Sequence, residues 1–237
     1  MIKEILKLTD KDYWAEHWRN ESEENWAGYD SKFSPDWDKL MESTLEKFKG
    51  KKLLEVGCYP GRYMMYFHKK YKMEVEGLDF VEDISDNKNF KIYKEDFLKW
   101  STSNNYDIVC SFGFIEHFYD LENIIKKHLE LTNPKGLSLI TVPNFHHGIK
   151  YFFKRRNDRE LFVSHYREAM NIESLKKILD SIPCKSYEID FFSFSKKGFN
   201  SSYGAKYYIA KLLGFFTLKL PLIDNLLADE IIIKIKK

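Results

Sequence analysis

A parallel α/β sheet is the fold this sequence predicts, and three observations predict it. From residue 52 onward, short apolar runs alternate with stretches of helical spacing, the order that strand–helix–strand units produce. The run LLEVG (53–57) ends on glycine, as a buried strand does where the backbone turns sharply. The next two strand candidates end in acids, Asp79 in GLDF and Asp96 in KEDF, which places carboxylates along one edge of such a sheet.

Taken in order, residues 9–48 form a leader that reads as two helices, with five aromatic residues between Tyr13 and Tyr29. KKLLEVGC (51–58) is a strand, 61–71 a helix, and MEVEGLDF (73–80) and FKIYKEDF (90–97) alternate as strands do. YDIVCSFGF (106–114) is a fourth strand. DLENIIKKHLEL (120–131) has helical spacing, with Asp120 in the capping position. NPKG (133–136) reads as a turn and LSLITVP (137–143) as a fifth strand. Residues 144–168 carry His, Arg and aromatics without a clean period. NIESLKKILDSI (171–182) is a helix capped by Asn171, with Ser174 and Lys176 outward. SYEIDFFSF (186–194) and DEIIIKIK (229–236) are the last two strands. No linker-like stretch divides the chain, so 1–237 is expected to be one domain. Its parts are a leader (1–49), a core (50–143) and two insertions (144–170 and 195–227).

The bulk numbers agree with a folded chain and exclude little else. Of 237 residues, 43% are hydrophobic and 31% charged, which rules against disorder. A net charge of +2 gives no electrostatic footprint for nucleic acid. The three cysteines, Cys58, Cys110 and Cys184, fit neither a disulfide framework nor a zinc pattern, and read as reduced thiols of a cytoplasmic protein. IAKLLGFFTLKLPLI (209–223) is broken by Lys211, Lys219, Gly214 and Pro221, and is shorter than the roughly 20 residues of a membrane span.

The turn LLEVGCYPGRY (53–63) is the first candidate site. A glycine at the end of a strand lets the backbone approach a ligand closely. The dinucleotide pattern G-x-G-x-x-G fails here, because Tyr59 and Arg62 stand where glycines are required. What remains is Glu55, Gly57 and Gly61. Tyr59 precedes Pro60 and is therefore biased toward an extended conformation, away from the ligand or walling it. Asp79, about 20 residues beyond the turn, is placed to accept hydrogen bonds from ribose hydroxyls, and Asp96 lies at the corresponding edge.

The ordered set LLEVGCYPGRY, EGLDF, KEDF, YDIVCSFGFIEHFYD and NPKGLSLITVPN resembles the class I S-adenosylmethionine-dependent methyltransferases over residues 50–145. The resemblance implies a Rossmann-like, seven-stranded, mostly parallel sheet with an antiparallel last strand and helices on both faces. It also implies site assignments. Glu55, Gly57 and Gly61 surround the amino-acid part of S-adenosylmethionine, with Cys58 and Tyr59 in the same turn. Asp79 takes the ribose hydroxyls, with Phe80 beside it, and Asp96 with the backbone of Phe97 meets the adenine edge. Ser111, Phe112, Gly113 and Phe114 line the methionyl side. The chain departs from the family pattern at Tyr59.

A sulfonium methyl is already electrophilic, so the protein has mainly to align an acceptor and exclude water. A hydroxyl acceptor gains from a base. Glu116 and His117 are the catalytic candidates, against the alternative that they only cap or pair within a helix. His146, His147, Arg155 and Arg156 are candidates for substrate contact, in a basic stretch with Lys154 and Arg159 that also reads as a solvated face. No carboxylate or cysteine lies at ligand spacing from the His146–His147 pair, so no metal is expected. The leader either closes over the cleft or packs on the sheet, and 195–227 is a lid, a homodimer contact or a membrane-surface patch. The layout is similar to bacterial methyltransferases that modify surface glycans or small metabolites, which implies a small-molecule or sugar acceptor, a hydroxyl first. The alternatives are a noncatalytic binding protein of the same fold and, with less support, an NAD-dependent oxidoreductase. A nucleic-acid amino-methylating enzyme is disfavoured, since the strand-four tail reads SFGF.

Overall fold

The computed structural model describes residues 9–20, 33–81, 90–144, 163–192 and 228–237. Seven strands form one sheet: β1 (Lys52–Val56), β2 (Glu74–Asp79), β3 (Lys91–Lys94), β4 (Tyr106–Phe112), β5 (Thr132–Pro143), β6 (Ser186–Phe192) and β7 (Glu230–Lys236). Their spatial order is β3-β2-β1-β4-β5-β7-β6. Neighbours from β3 to β5 pair in parallel, whereas β7 runs antiparallel to both β5 and β6. The order reverses between β1 and β4, so the crevice beyond the carboxyl ends of these strands is the expected place for a ligand. The expected seven-stranded architecture is thus present.

Alternation along the strands decides which helix covers which face. Leu53, Ile108, Cys110, Leu137, Leu139 and Ile232 point to one side, where they meet Trp37, Met41 and Leu45 of α2 (Pro35–Leu45) and Met64, Phe67 and Tyr71 of α3 (Arg62–Tyr71). Leu54, Val56, Val109, Ile140, Val142, Ile231 and Ile233 point to the other, against Ile124, Ile125 and Leu129 of α4 (Leu121–Leu131) and Leu175 and Leu179 of α5 (Ile172–Ser181). The first helix, α1 (Lys11–Asn20), lies at the sheet edge instead.

The caps follow the sequence. Ser34 accepts from the Trp37 amide before Pro35 opens α2, Asp120 accepts from the Asn123 amide, and Asn171 accepts from Glu173 and Ser174. NPKG is a correction. These residues are part of β5, not a separating turn, because Thr132 pairs with Tyr106 and Leu137 with Ile108. Between these pairs β5 has four residues (133–136) where β4 has one, Asp107, and the excess forms a bulge with Lys135 at φ 67°. Strand β3 stops at Lys94, so Asp96 lies in the turn beyond it. Among the described residues no helix is long and apolar enough to cross a membrane.

Candidate active site

Strands β1, β2, β4 and β5 end at one cavity of about 900 Å³, which extends to the turn after β3. Because β7 is antiparallel, its first residue, Glu230, reaches the same cavity. Residues Thr9, Tyr13, Trp14 and His17 border it from the α1 side, so the leader stands over the cleft.

At the first end, Gly57 carries φ +70°, and a Cβ there would lie 2.6 Å from the Phe114 ring. Both its backbone angle and its packing exclude a side chain. The Asp79 carboxylate, at the end of β2, accepts from the Tyr59 amide at 3.0 Å and the Val81 amide at 3.1 Å. Burial raises its pKa, and these backbone donors oppose the rise. Tyr59 is thus tied by its main chain to the acid opposite, and it walls the cavity as one of the two expected placements. Asp96 accepts from the Leu98 amide at 2.9 Å, which folds the turn that presents Phe97. Phe97 meets Phe114 edge-on at a centroid distance of 5.7 Å. Glu55 is buried, and its pKa is raised well above normal, first by burial and then by the charge of Asp79. Phe80, Phe112 and Gly113 complete this wall.

Three expected residues are placed otherwise. The Cys58 sulfur lies in the core against Gly77 and Met64, although the residue borders the cavity. Gly61 is not part of the wall; its φ of +92° sets the start of α3. Ser111 is not part of it either, because its hydroxyl meets His128 Nε2 at 3.1 Å beneath the sheet edge. His146, His147, Arg155 and Arg156 lie outside the described residues.

At the other end, a 3₁₀ turn (Ile115–His117) follows β4 and buries Glu116 and His117, only 1% and 9% exposed. They do not begin a helix; α4 starts later, at Leu121. Tyr166 donates its amide to the Glu116 carbonyl at 2.6 Å, which brings the 163–170 segment alongside. Glu116 Oε2 is buried without a hydrogen-bond partner among the described residues. Burial, with some repulsion from Glu230, pushes the Glu116 pKa up to about 8. His117 Nδ1 donates to the Ser164 carbonyl at 3.1 Å, which leaves the lone pair on Nε2. Burial first, then His165, pushes its pKa down to about 3. Trp14 meets the His117 ring edge-on at 4.9 Å, and His165 lies 4.7 Å from it, centroid to centroid. Glu116, His117 and His165 each offer a metal-ligating atom in this space.

Sequence reading missed His165 and Glu230. His165 stands in VSHY, where no periodicity marks a face, and Glu230 opens a strand whose direction is fixed only by its partners.

Residues 29–181 match a family model described as a methyltransferase domain. A search of curated proteins finds no match. Among solved structures, the chain is similar to Haemonchus contortus phosphoethanolamine N-methyltransferase 2, in complex with phosphomonomethylethanolamine and S-adenosylhomocysteine. That likeness has a TM-score of 0.59 at 17% identity and covers 86% of this chain and 53% of that one. The chain therefore spans about half the length of the nematode enzyme. An S-adenosylmethionine-dependent methyltransferase from Archaeoglobus fulgidus matches with a TM-score of 0.57 at 19% identity, covering 84% and 94%. The N-methyltransferase NodS from Bradyrhizobium japonicum, in complex with S-adenosylhomocysteine, matches at 0.58 and 13%, covering 96% and 99%. These likenesses concern the fold, and it is the family match over more than half of the sequence, added to the sheet order and the glycine turn, by which this chain belongs to the methyltransferase domain family.

Proposed function

We propose that this protein transfers a methyl group from S-adenosylmethionine to a hydroxyl of a polar small molecule or sugar. The observation that carries the reading is a single cavity joining the Gly57 turn and Asp79 at one end to buried Glu116 and His117 at the other. Its volume, about 900 Å³, is at the upper end of the range for small-molecule sites, which suits a nucleoside cofactor together with an acceptor.

The residues present fit that cofactor. Gly57 leaves room for a close backbone approach, and the Asp79 carboxylate is held in place to receive ribose hydroxyls. Asp96 and the Phe97 backbone stand at the adenine position, and Phe112 and Gly113 at the methionyl position. When bound, S-adenosylmethionine supplies a methyl group on a positively charged sulfur. The chain's own residues supply alignment, exclusion of water and removal of the acceptor's proton. Glu116, with a pKa near 8, is the stronger base of the pair once ionised. His117 stays neutral at pH 7 and accepts a hydrogen bond at Nε2, which points the acceptor oxygen. Trp14 and Tyr13 cover this end against water.

Calorimetric titration with S-adenosylmethionine, S-adenosylhomocysteine and NAD in parallel tests the reading. The first two are expected to bind and NAD not. Failure of both sulfur ligands would favour a noncatalytic role for the fold.

A further inference from the structure

We infer that Glu116, His117 and His165 form a binding site for one divalent transition-metal ion, of the zinc or ferrous class, at the acceptor end of the cavity. One ligating atom from each residue lies within 4.8 Å of the others, and all three residues are buried. Two imidazoles and one carboxylate suit borderline metals, whereas magnesium and calcium take oxygen ligands.

Three features separate this cluster from a chance meeting of polar side chains. The first is the arrangement behind the histidines. A metal-bound imidazole ordinarily gives its other nitrogen to a carbonyl or hydroxyl, which fixes the ring. Ser164 does this for both rings: its carbonyl accepts from His117 Nδ1 at 3.1 Å, and its hydroxyl lies 3.0 Å from His165 Nδ1. Nε2 is then the coordinating nitrogen on each. The second is Glu116 Oε2, buried and without a hydrogen-bond partner among the described residues. A buried carboxylate oxygen is costly unless a proton or a cation answers it. The third is connectivity. The Tyr166 amide to Glu116 carbonyl bond clamps the two segments together, so the ligands are held by more than side-chain packing.

Metal–ligand bonds of about 2.0–2.2 Å set ligand atoms roughly 3.3 Å apart, so the three side chains have to close by about 1.5 Å at most. Three protein ligands leave a coordination position open. Because all three residues border the cavity, that position faces the acceptor. With the ion bound, an acceptor oxygen on it becomes more acidic, and Glu116 and His117 Nε2 act as ligands in place of the base and hydrogen-bond-acceptor roles they have in the metal-free site. This use rests on the methyltransferase reading, but the test of the site does not.

The test is a titration of the purified, chelator-treated protein with Co²⁺, followed by visible absorption, and with Zn²⁺, followed by calorimetry. One ion per chain is expected. Affinity should fall at least thirtyfold in Glu116→Gln and in His165→Ala, and about tenfold in Ser164→Ala. No stoichiometric binding, or equal affinity in Glu116→Gln and wild type, would overturn the site. Binding of S-adenosylhomocysteine, measured on the same samples, is independent. Its loss in wild type with ion binding intact would overturn the methyltransferase reading and leave the ion site standing.

Discussion

The two ends of the cavity are built in opposite ways. Around β1 to β3 the backbone does most of the positioning. Asp79 and Asp96 are both occupied by main-chain amides within about 20 residues of themselves, and Gly57 is fixed by its own dihedral angle. Beyond β4 the work falls to side chains from segments far apart: Trp14, Glu116, His117, His165 and Glu230. The histidines make the contrast sharp. His128, beneath the first end, has both nitrogens engaged, Nδ1 by the Ile124 carbonyl at 2.8 Å and Nε2 by Ser111. Among the described residues, His117 has a hydrogen bond at Nδ1 alone. One end is made to hold a shape, and the other keeps bonding capacity in reserve.

That contrast can be broken most directly at His117. His117→Ala is expected to lower turnover by about 100-fold while S-adenosylmethionine affinity changes less than threefold. Steady-state kinetics beside calorimetry decide it, and wild-type turnover would make the residue structural. The next effect concerns His128, whose burial pushes its pKa down to about 4 from 6.5. The unfolded chain therefore takes up a proton that the native chain refuses. Stability present above pH 6.5 is lost as pH falls from there toward 4, by roughly 3 kcal/mol from this group. Urea midpoints between pH 7 and 4.5 should fall less steeply in His128→Gln than in wild type, with His117 contributing to the acid sensitivity that remains. A matching slope would remove His128 from the account.

At the first end, Asp79→Ala should weaken S-adenosylmethionine at least tenfold with an unchanged circular dichroism spectrum. Unchanged affinity would place the ribose elsewhere. The smallest effect is expected from Trp14→Ala, a two- to fivefold rise in acceptor KM with cofactor affinity unchanged, because Trp14 packs on the His117 ring at the second end of the cavity.

The same contrast explains what was legible in the sequence. Asp79 ends a strand, and the Gly57 turn and Asp96 lie within two residues of a strand end, so strand prediction places them without knowledge of the fold. Glu116 and His117 follow β4 directly and could be found the same way. His165 is brought in by a hydrogen bond from the Tyr166 amide to the Glu116 carbonyl, a contact across some 50 residues that leaves no trace in local pattern. Gly61 and Ser111 stand outside the cavity wall for a subtler reason. They belong to the right segments, but one forms a helix start and the other points beneath the sheet edge. NPKG has the composition of a turn, yet its neighbours pair on both sides and hold it as a bulge.

The place of β7 has a consequence for how the chain assembles during synthesis. Among the described residues β6 pairs only with β7, and β7 alone connects it to β5. Until residues 230–236 have left the ribosome, β6 has no neighbour and β5 remains an open edge. The last seven-residue strand therefore acts as a wedge that admits two strands at once, and a chain halted before Glu230 carries a five-stranded sheet with an apolar edge exposed to other nascent chains.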